Sequence, residues 1–279
     1  MKEQRFSSEA IQMRLRRTSS PPLPSKKIMN EVGLFKMPPA PIMIEGLGLA
    51  LRINEFFGRT EGDTETYVSN PDLVISLILG IGDAATRGKA VEHLLNILPR
   101  FGEEKPFLEM VAVAKRMCDF NRPSAALRFL ETVDKASENE DNCNILIKLM
   151  PIFNEPAVID SLNIFAKIGT KNIENAISQL IDMGLRLKDG NVIINISETI
   201  RSLNKKFGKH VAYNYRNIVA KVVEKLPENE CVKIIDGISK KMLSYENDED
   251  AIYFTQMVEH IFTYEKNPLQ RLMGLLQQQ

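Results

Sequence analysis

The chain has no tryptophan, only three cysteines among 279 residues, and no long apolar run. Each shortage excludes a class of protein. A bilayer-spanning helix takes about 20 apolar residues in a row, and the longest runs here, such as Leu73–Leu79, are far shorter. Cys118, Cys143 and Cys231 are odd in number, widely separated and without a CxxC pair. That argues against a disulfide framework or a zinc site and for buried thiols in a reducing compartment. The N-terminus, MKEQRFSSEAIQMRLRRTSS, lacks the apolar core of a secretory signal. Its Arg5, Arg14, Arg16 and Arg17 among serines suit a mitochondrial presequence, but Glu3 and Glu9 go against one. The expected location is the cytoplasm, with export into a host cytosol as the alternative.

Signatures of catalysis are lacking too. His93, His210 and His260 are isolated, with no His or Cys at ligand spacing. Gly82–Lys89 (GDAATRGK) invites comparison with a phosphate loop, but five residues separate its glycines and Ala90 stands where the hydroxyl is needed. The sequence reads there as a turn between helices. Glu246, Asp248, Glu249 and Asp250 lack the glycine and terminal glutamate of a calcium loop; acidic residues at a helix start suit the helix dipole. No catalytic residue, metal ligand or cofactor is expected. An enzyme with its site in a groove between helices is the competing reading.

Charge is present but uneven. The formal net charge is zero. Residues 1–41 hold eight Lys/Arg against three Asp/Glu, a net of +5, so residues 42–279 carry −5. Within that body, residues 201–241 hold ten Lys/Arg against four Asp/Glu, a net of +6, which leaves −11 for the remainder. Residues 1–41 also contain six of the 14 prolines. Proline removes backbone donors and few large apolar groups are there to offset ordering entropy, so a disordered basic tail is expected. Residues 42–279 are expected to form one all-helical, repeat-like domain.

Ile42–Gly58 reads as a first helix, and Pro71 suits the first turn of a second. Beyond it, helix breakers or caps recur near positions 83, 101, 120, 137, 154, 169, 189, 208, 227, 247 and 267. Glycine accepts the left-handed backbone that ends helices, and Asn, Asp and Thr bond the free N–H groups that begin them. Between breaks the apolar residues keep helical spacing, as in Ile193, Ile196, Ile200, Leu203 and Phe207, or Val211, Tyr215, Ile218, Val222 and Leu226. Helices of about four turns with short loops must double back on one another. The run Leu73–Leu79 reads as a buried helix because no second strand-like run partners it. The expected fold is therefore all-α, with about a dozen antiparallel helices in hairpins stacked as an α–α superhelix; an irregular bundle is the alternative.

Leu79–Leu98 (LGIGDAATRGKAVEHLLNIL) resembles a HEAT-type repeat through Ile81, Gly82, Asp83, Ala90, Val91, Leu94, Leu95 and Leu98. Ala166–Leu180 echoes it with Ile168, Gly169, Ala176, Ile177 and Leu180. One Ile-Gly turn precedes an odd-numbered helix and the other an even one, so a strict two-helix period does not accommodate both. The resemblance implies a HEAT/armadillo-like superhelix whose surface holds peptides or proteins.

Arg201 and Lys205 lie four apart on one expected helix, Lys221 and Lys225 four apart on the next, with Lys206, Lys209 and Arg216 around them. Residues four apart share a helix face. Aligned faces would make a basic ridge for a protein or peptide partner of acidic character. Nucleic acid is disfavoured by the acidic body and the scarcity of aromatics. In the tail, Arg16-Arg17-Thr18-Ser19 resembles a basophilic kinase site, and Pro21-Pro22-Leu23-Pro24 suits a polyproline groove. The expected function is a non-enzymatic interaction scaffold or adaptor with a regulatory tail. A bacterial effector moved into a host cell is the second reading.

Overall fold

A computed structural model describes residues 40–56 and 69–277. The described residues form thirteen α-helices and no strand. In chain order they are α1 (Ala40–Phe56), α2 (Ser69–Gly80), α3 (Ala84–Phe101), α4 (Glu104–Asp119), α5 (Pro123–Ala136), α6 (Glu140–Phe153) and α7 (Pro156–Ile168). There follow α8 (Thr170–Leu187), α9 (Gly190–Phe207), α10 (Lys209–Lys225), α11 (Glu228–Ser244), α12 (Asp248–Tyr264) and α13 (Pro268–Gln277). No helix among the described residues is long and apolar enough to cross a membrane. The run Leu73–Leu79 is helical, within α2. The expected disordered tail, with Arg16–Ser19 and Pro21–Pro24, lies outside the described residues except for Ala40 and Pro41, which begin α1.

The breaks fall where backbone chemistry demands. Gly102 ends α3 at φ 65°, a left-handed conformation that a Cβ disfavours. Asp83 begins α3 by accepting from the Thr86 N–H at 2.9 Å, and Asn139 and Asn247 begin α6 and α12 in the same way. Arg87 reaches back to the Gly82 carbonyl at 2.8 Å, so the stretch compared with a phosphate loop is a capped helix start.

The helices stack in two layers, as an α–α superhelix. One layer runs α1, α3, α5, α8, α10, α12, each packed on the next. The other holds α2 and α4, then α7, α9, α11 and α13. Chain-adjacent helices cross between layers, and same-layer neighbours run parallel. Their parallel sense shows in the bonds between their ends. Arg100 near the end of α3 donates to the Asp134 carbonyl near the end of α5 at 2.8 Å. Arg186 in the last turn of α8 donates to the Glu224 and Leu226 carbonyls at the end of α10, at 2.9 and 2.8 Å. Lys206 at the end of α9 donates to the Leu243 and Tyr245 carbonyls at the end of α11. Carbonyls in the last turn of a helix have no partner within it; here the neighbouring helix supplies a cation.

Helix α6 packs chiefly on α4, and the alternation breaks after it because α7 lies in the second layer as well. Cys143 in its first turn points its thiol at the Arg100 carbonyl that ends α3, and Asn154 just past it bonds Glu109 of α4 at 2.6 Å. Its Leu149 and Ile152 side chains pack where a Cβ on Gly184 of α8 or Gly190 of α9 would stand, 2.7 Å away in each case. The chain thus spends one helix bridging two corners and then resumes. Layer membership switches from odd to even helices across it. The two Ile-Gly turns, before α3 and before α8, are therefore the same kind of corner, each leading from the second layer into the first.

The core between layers is apolar and continuous, running from Leu49 of α1 to Leu272 of α13. The predicted stripes supply it: Ile193, Ile196, Ile200 and Leu203 of α9 face Val211, Tyr215, Ile218 and Val222 of α10, all buried. At about 25 cal/mol per Å² of apolar surface, such burial supplies the main favourable contribution to the fold.

Candidate interaction surface

The seven residues of the expected basic ridge are placed as follows. Arg201 of α9 pairs with Asp160 of α7 at 3.2 Å. Lys221 of α10 pairs with Glu259 of α12, and Lys225 pairs with its neighbour Glu224 at 2.9 Å. The first pair belongs to the second layer and the other two to the first, so they do not share one face. Arg216 is 1% exposed. It lies with its guanidinium carbon 4.8 Å from the Phe165 ring centroid and 4.6 Å from that of Tyr213. It donates to the Asn172 carbonyl at 3.0 Å and to Asn217 at 2.7 Å. Burial lowers its pKa from the ordinary value, and Tyr213 acts against that. Lys206, besides its two carbonyl bonds, stands 5.0 Å from the Phe207 ring centroid.

Lys205, Lys206 and Lys209 surround the Phe207-Gly208 corner between α9 and α10, and Lys205 and Lys209 are exposed. Arg216 connects this corner to the one before α8, because it touches both Phe165 of α7 and Asn172 of α8. There Lys167 and Lys171 flank Ile168-Gly169, and both are exposed. Neither lysine belongs to the ridge expected from sequence. Their signal was available: Lys167-Ile168-Gly169-Thr170-Lys171 and Lys206-Phe207-Gly208-Lys209 both run lysine, apolar residue, glycine and then a lysine, with Thr170 as one extra residue in the first.

A recess of about 410 Å³ opens between α9 and α11. Glu198 and Ser202 of α9 and Val232, Asp236 and Lys240 of α11 line it. Asp236 and Lys240 pair with each other at 2.6 Å. At its floor the Tyr215 hydroxyl, reaching across from α10, lies 2.6 Å from Ser239 Oγ. Ser239 Oγ in turn bonds the Ile235 carbonyl at 2.8 Å. A carbonyl only accepts, so the serine proton goes to Ile235 and the phenol donates to the serine. Burial pushes the Tyr215 phenol up to about 12, so it stays protonated at neutral pH.

A polar cluster joins α3 and α5. Asp134 accepts from Asn96 at 3.1 Å and from Arg100 at 2.7 Å, and His93 Nδ1 lies 2.7 Å from the same carboxylate. Burial raises the Asp134 pKa, but its bonds to His93 and Asn96 and the Arg100 charge outweigh that, and the net shift is downward. The cluster fixes one helix on another. His210 is exposed at the α9–α10 corner, and the His260 ring lies tilted against Tyr264 with centroids 4.6 Å apart, so the three histidines do not meet. Cys118, Cys143 and Cys231 are all free thiols. Among the described residues, no group of three or more His, Cys, Asp or Glu side chains is arranged to hold a metal ion.

No protein-family model matches the chain, and no curated protein or solved structure matches it either.

Proposed function

We propose that this chain is a non-enzymatic interaction scaffold of HEAT/armadillo-like build, which holds a protein or peptide partner on its helical-repeat surface. The observation that carries this reading is the repeated corner. The Ile81-Gly82 and Ile168-Gly169 turns both lead from the second layer into the first, and α6 accounts for their difference in parity. Stacked hairpins of this kind present extended surfaces whose successive corners lie along one edge, and that geometry suits polypeptide partners. The reading rests on fold-level analogy together with that edge.

Affinity capture from lysate with the full chain as bait tests it. A discrete, stoichiometric protein partner is the expected result. Capture of nothing above a bead control, across several salt concentrations, would remove the scaffold reading.

A further inference from the structure

Four exposed lysines gather at the two adjoining glycine corners, without the ion pairs that several other cations of the array make. Lys115, Arg201, Lys221, Lys225 and Lys240 each have a carboxylate partner. Lys167, Lys171, Lys205 and Lys209 are exposed and in no ion pair among the described residues. No Asp or Glu occurs from residue 161 to 173 or from 199 to 223; the first acid past the first corner is Glu174, three residues after Lys171, and the second corner has none within 15 residues after Gly208.

Two further features raise the positive potential there. Helices α8 and α10 both begin at glycine, with no side-chain cap and no acidic residue in the first turn. The N-terminal end of a helix carries roughly half a positive charge, which usually attracts acidic residues; these two first turns hold Lys171 and Lys209 instead. Beneath the α7–α8 corner lies the Arg216 guanidinium, reaching over from α10, buried, with an Nε that bonds nothing and no carboxylate beside it. A buried cation of this kind is ordinarily paired with an acid.

We propose that this edge, formed by Lys167, Lys171, Lys205 and Lys209, binds an acidic peptide segment of a partner protein. The proposal rests on the scaffold reading above and names the chemistry of the partner. The spacing fits: neighbouring packed helices lie about 9 Å apart, and an extended chain rises about 3.3 Å per residue. Carboxylates three residues apart on a peptide would reach both corners. The patch is also bounded. Lys206 ties the end of α9 to the end of α11, and the next corner along carries Glu246, Asp248, Glu249 and Asp250. A duplex nucleic acid or an anionic membrane would run onto that acidic corner and onto a body whose residues outside 201–241 sum to −11. A short acidic peptide stays within the two corners.

Fluorescence anisotropy with the full chain and a labelled Glu-Ser-Gly repeat peptide tests this. The K171E/K209E variant should bind the peptide roughly tenfold or more weakly. K225E/K233E, which reverses two exposed lysines at the far end of α10 and the start of α11, should bind as the unmodified chain does. Circular dichroism melts confirm that both variants fold, and K171Q/K209Q provides a milder second variant with an intermediate loss. Equal losses in the two charge-reversed variants would mean diffuse attraction and overturn the proposal. So would tighter binding to duplex DNA or to phosphatidylserine vesicles than to the peptide. The two readings fail separately. If K171E/K209E captures the same lysate partner as the unmodified chain, the edge is not its contact and the scaffold reading stands.

Discussion

The joint between α3 and α5 and the joint between α8 and α10 hold equivalent neighbours in the first layer, and they use opposite chemistries. In the first, a buried carboxylate is the hub: Asp134 gathers His93, Asn96 and Arg100 from one face of α3. In the second, a buried cation is the hub: Arg216 lies between Phe165 and Tyr213 and bonds backbone and amide oxygens. A carboxylate hub depends on protonation and on its charged partners. A guanidinium between rings stays charged at any ordinary pH and draws on ring faces that do not titrate in the acid range. The same packing relation can therefore respond to solvent in one half of the molecule and ignore it in the other.

The comparison is most exposed at Asp134. Asp134→Ala leaves Arg100 facing a partly buried void, and a cost of about 3 kcal/mol is expected. Native-state hydrogen exchange should find faster exchange in α3 and α5 with α8 and α10 unchanged; a uniform change across the chain would break the comparison.

The Asp134 pKa is lowered in the folded state, so its contribution is fully present above the unfolded carboxyl value of about 3.9. It is lost as pH falls through the lower folded value. The stability gap between the unmodified chain and Asp134→Asn should therefore shrink on acidification below about pH 4, as read by denaturant unfolding at each pH. A gap that widens would reverse the sign assigned to this joint.

Arg216→Met is the smallest expected effect. Methionine keeps contact with both rings and removes a buried charge that has no acid partner, so a cost of about 1 kcal/mol or less is expected. If this substitution costs more than Asp134→Ala in thermal unfolding, the cation hub is the stronger joint and the contrast inverts.

Much of this architecture was legible in the residues. Breaks near 102, 169 and 208 needed only the conformational preference of glycine, and the α9 and α10 stripes needed only helical periodicity. The period itself was obscured because α6 has the length and caps of any other helix. Nothing in its sequence shows that Leu149 and Ile152 pack against Gly184 and Gly190, some 35 residues on. The candidate surface was half legible. Lys205, Lys206 and Lys209 stand close in sequence, whereas Lys167 and Lys171 join them only through the packing of α7 and α8 on α10. Arg216 looks like a surface cation beside an apolar stripe until Phe165, from another helix, is set against it.

Helix α6 also bears on how the array comes apart. In a linear stack each unit senses only its immediate neighbours, so unfolding can begin at one end and travel, or stop midway. A helix that grips the end of α3, the start of α4 and the α8–α9 corner together acts as a splice between two shorter spans. Loss of either span strips α6 of half its contacts, which exposes the other. The chain should therefore melt in a single cooperative step where an uninterrupted array of this length would fray.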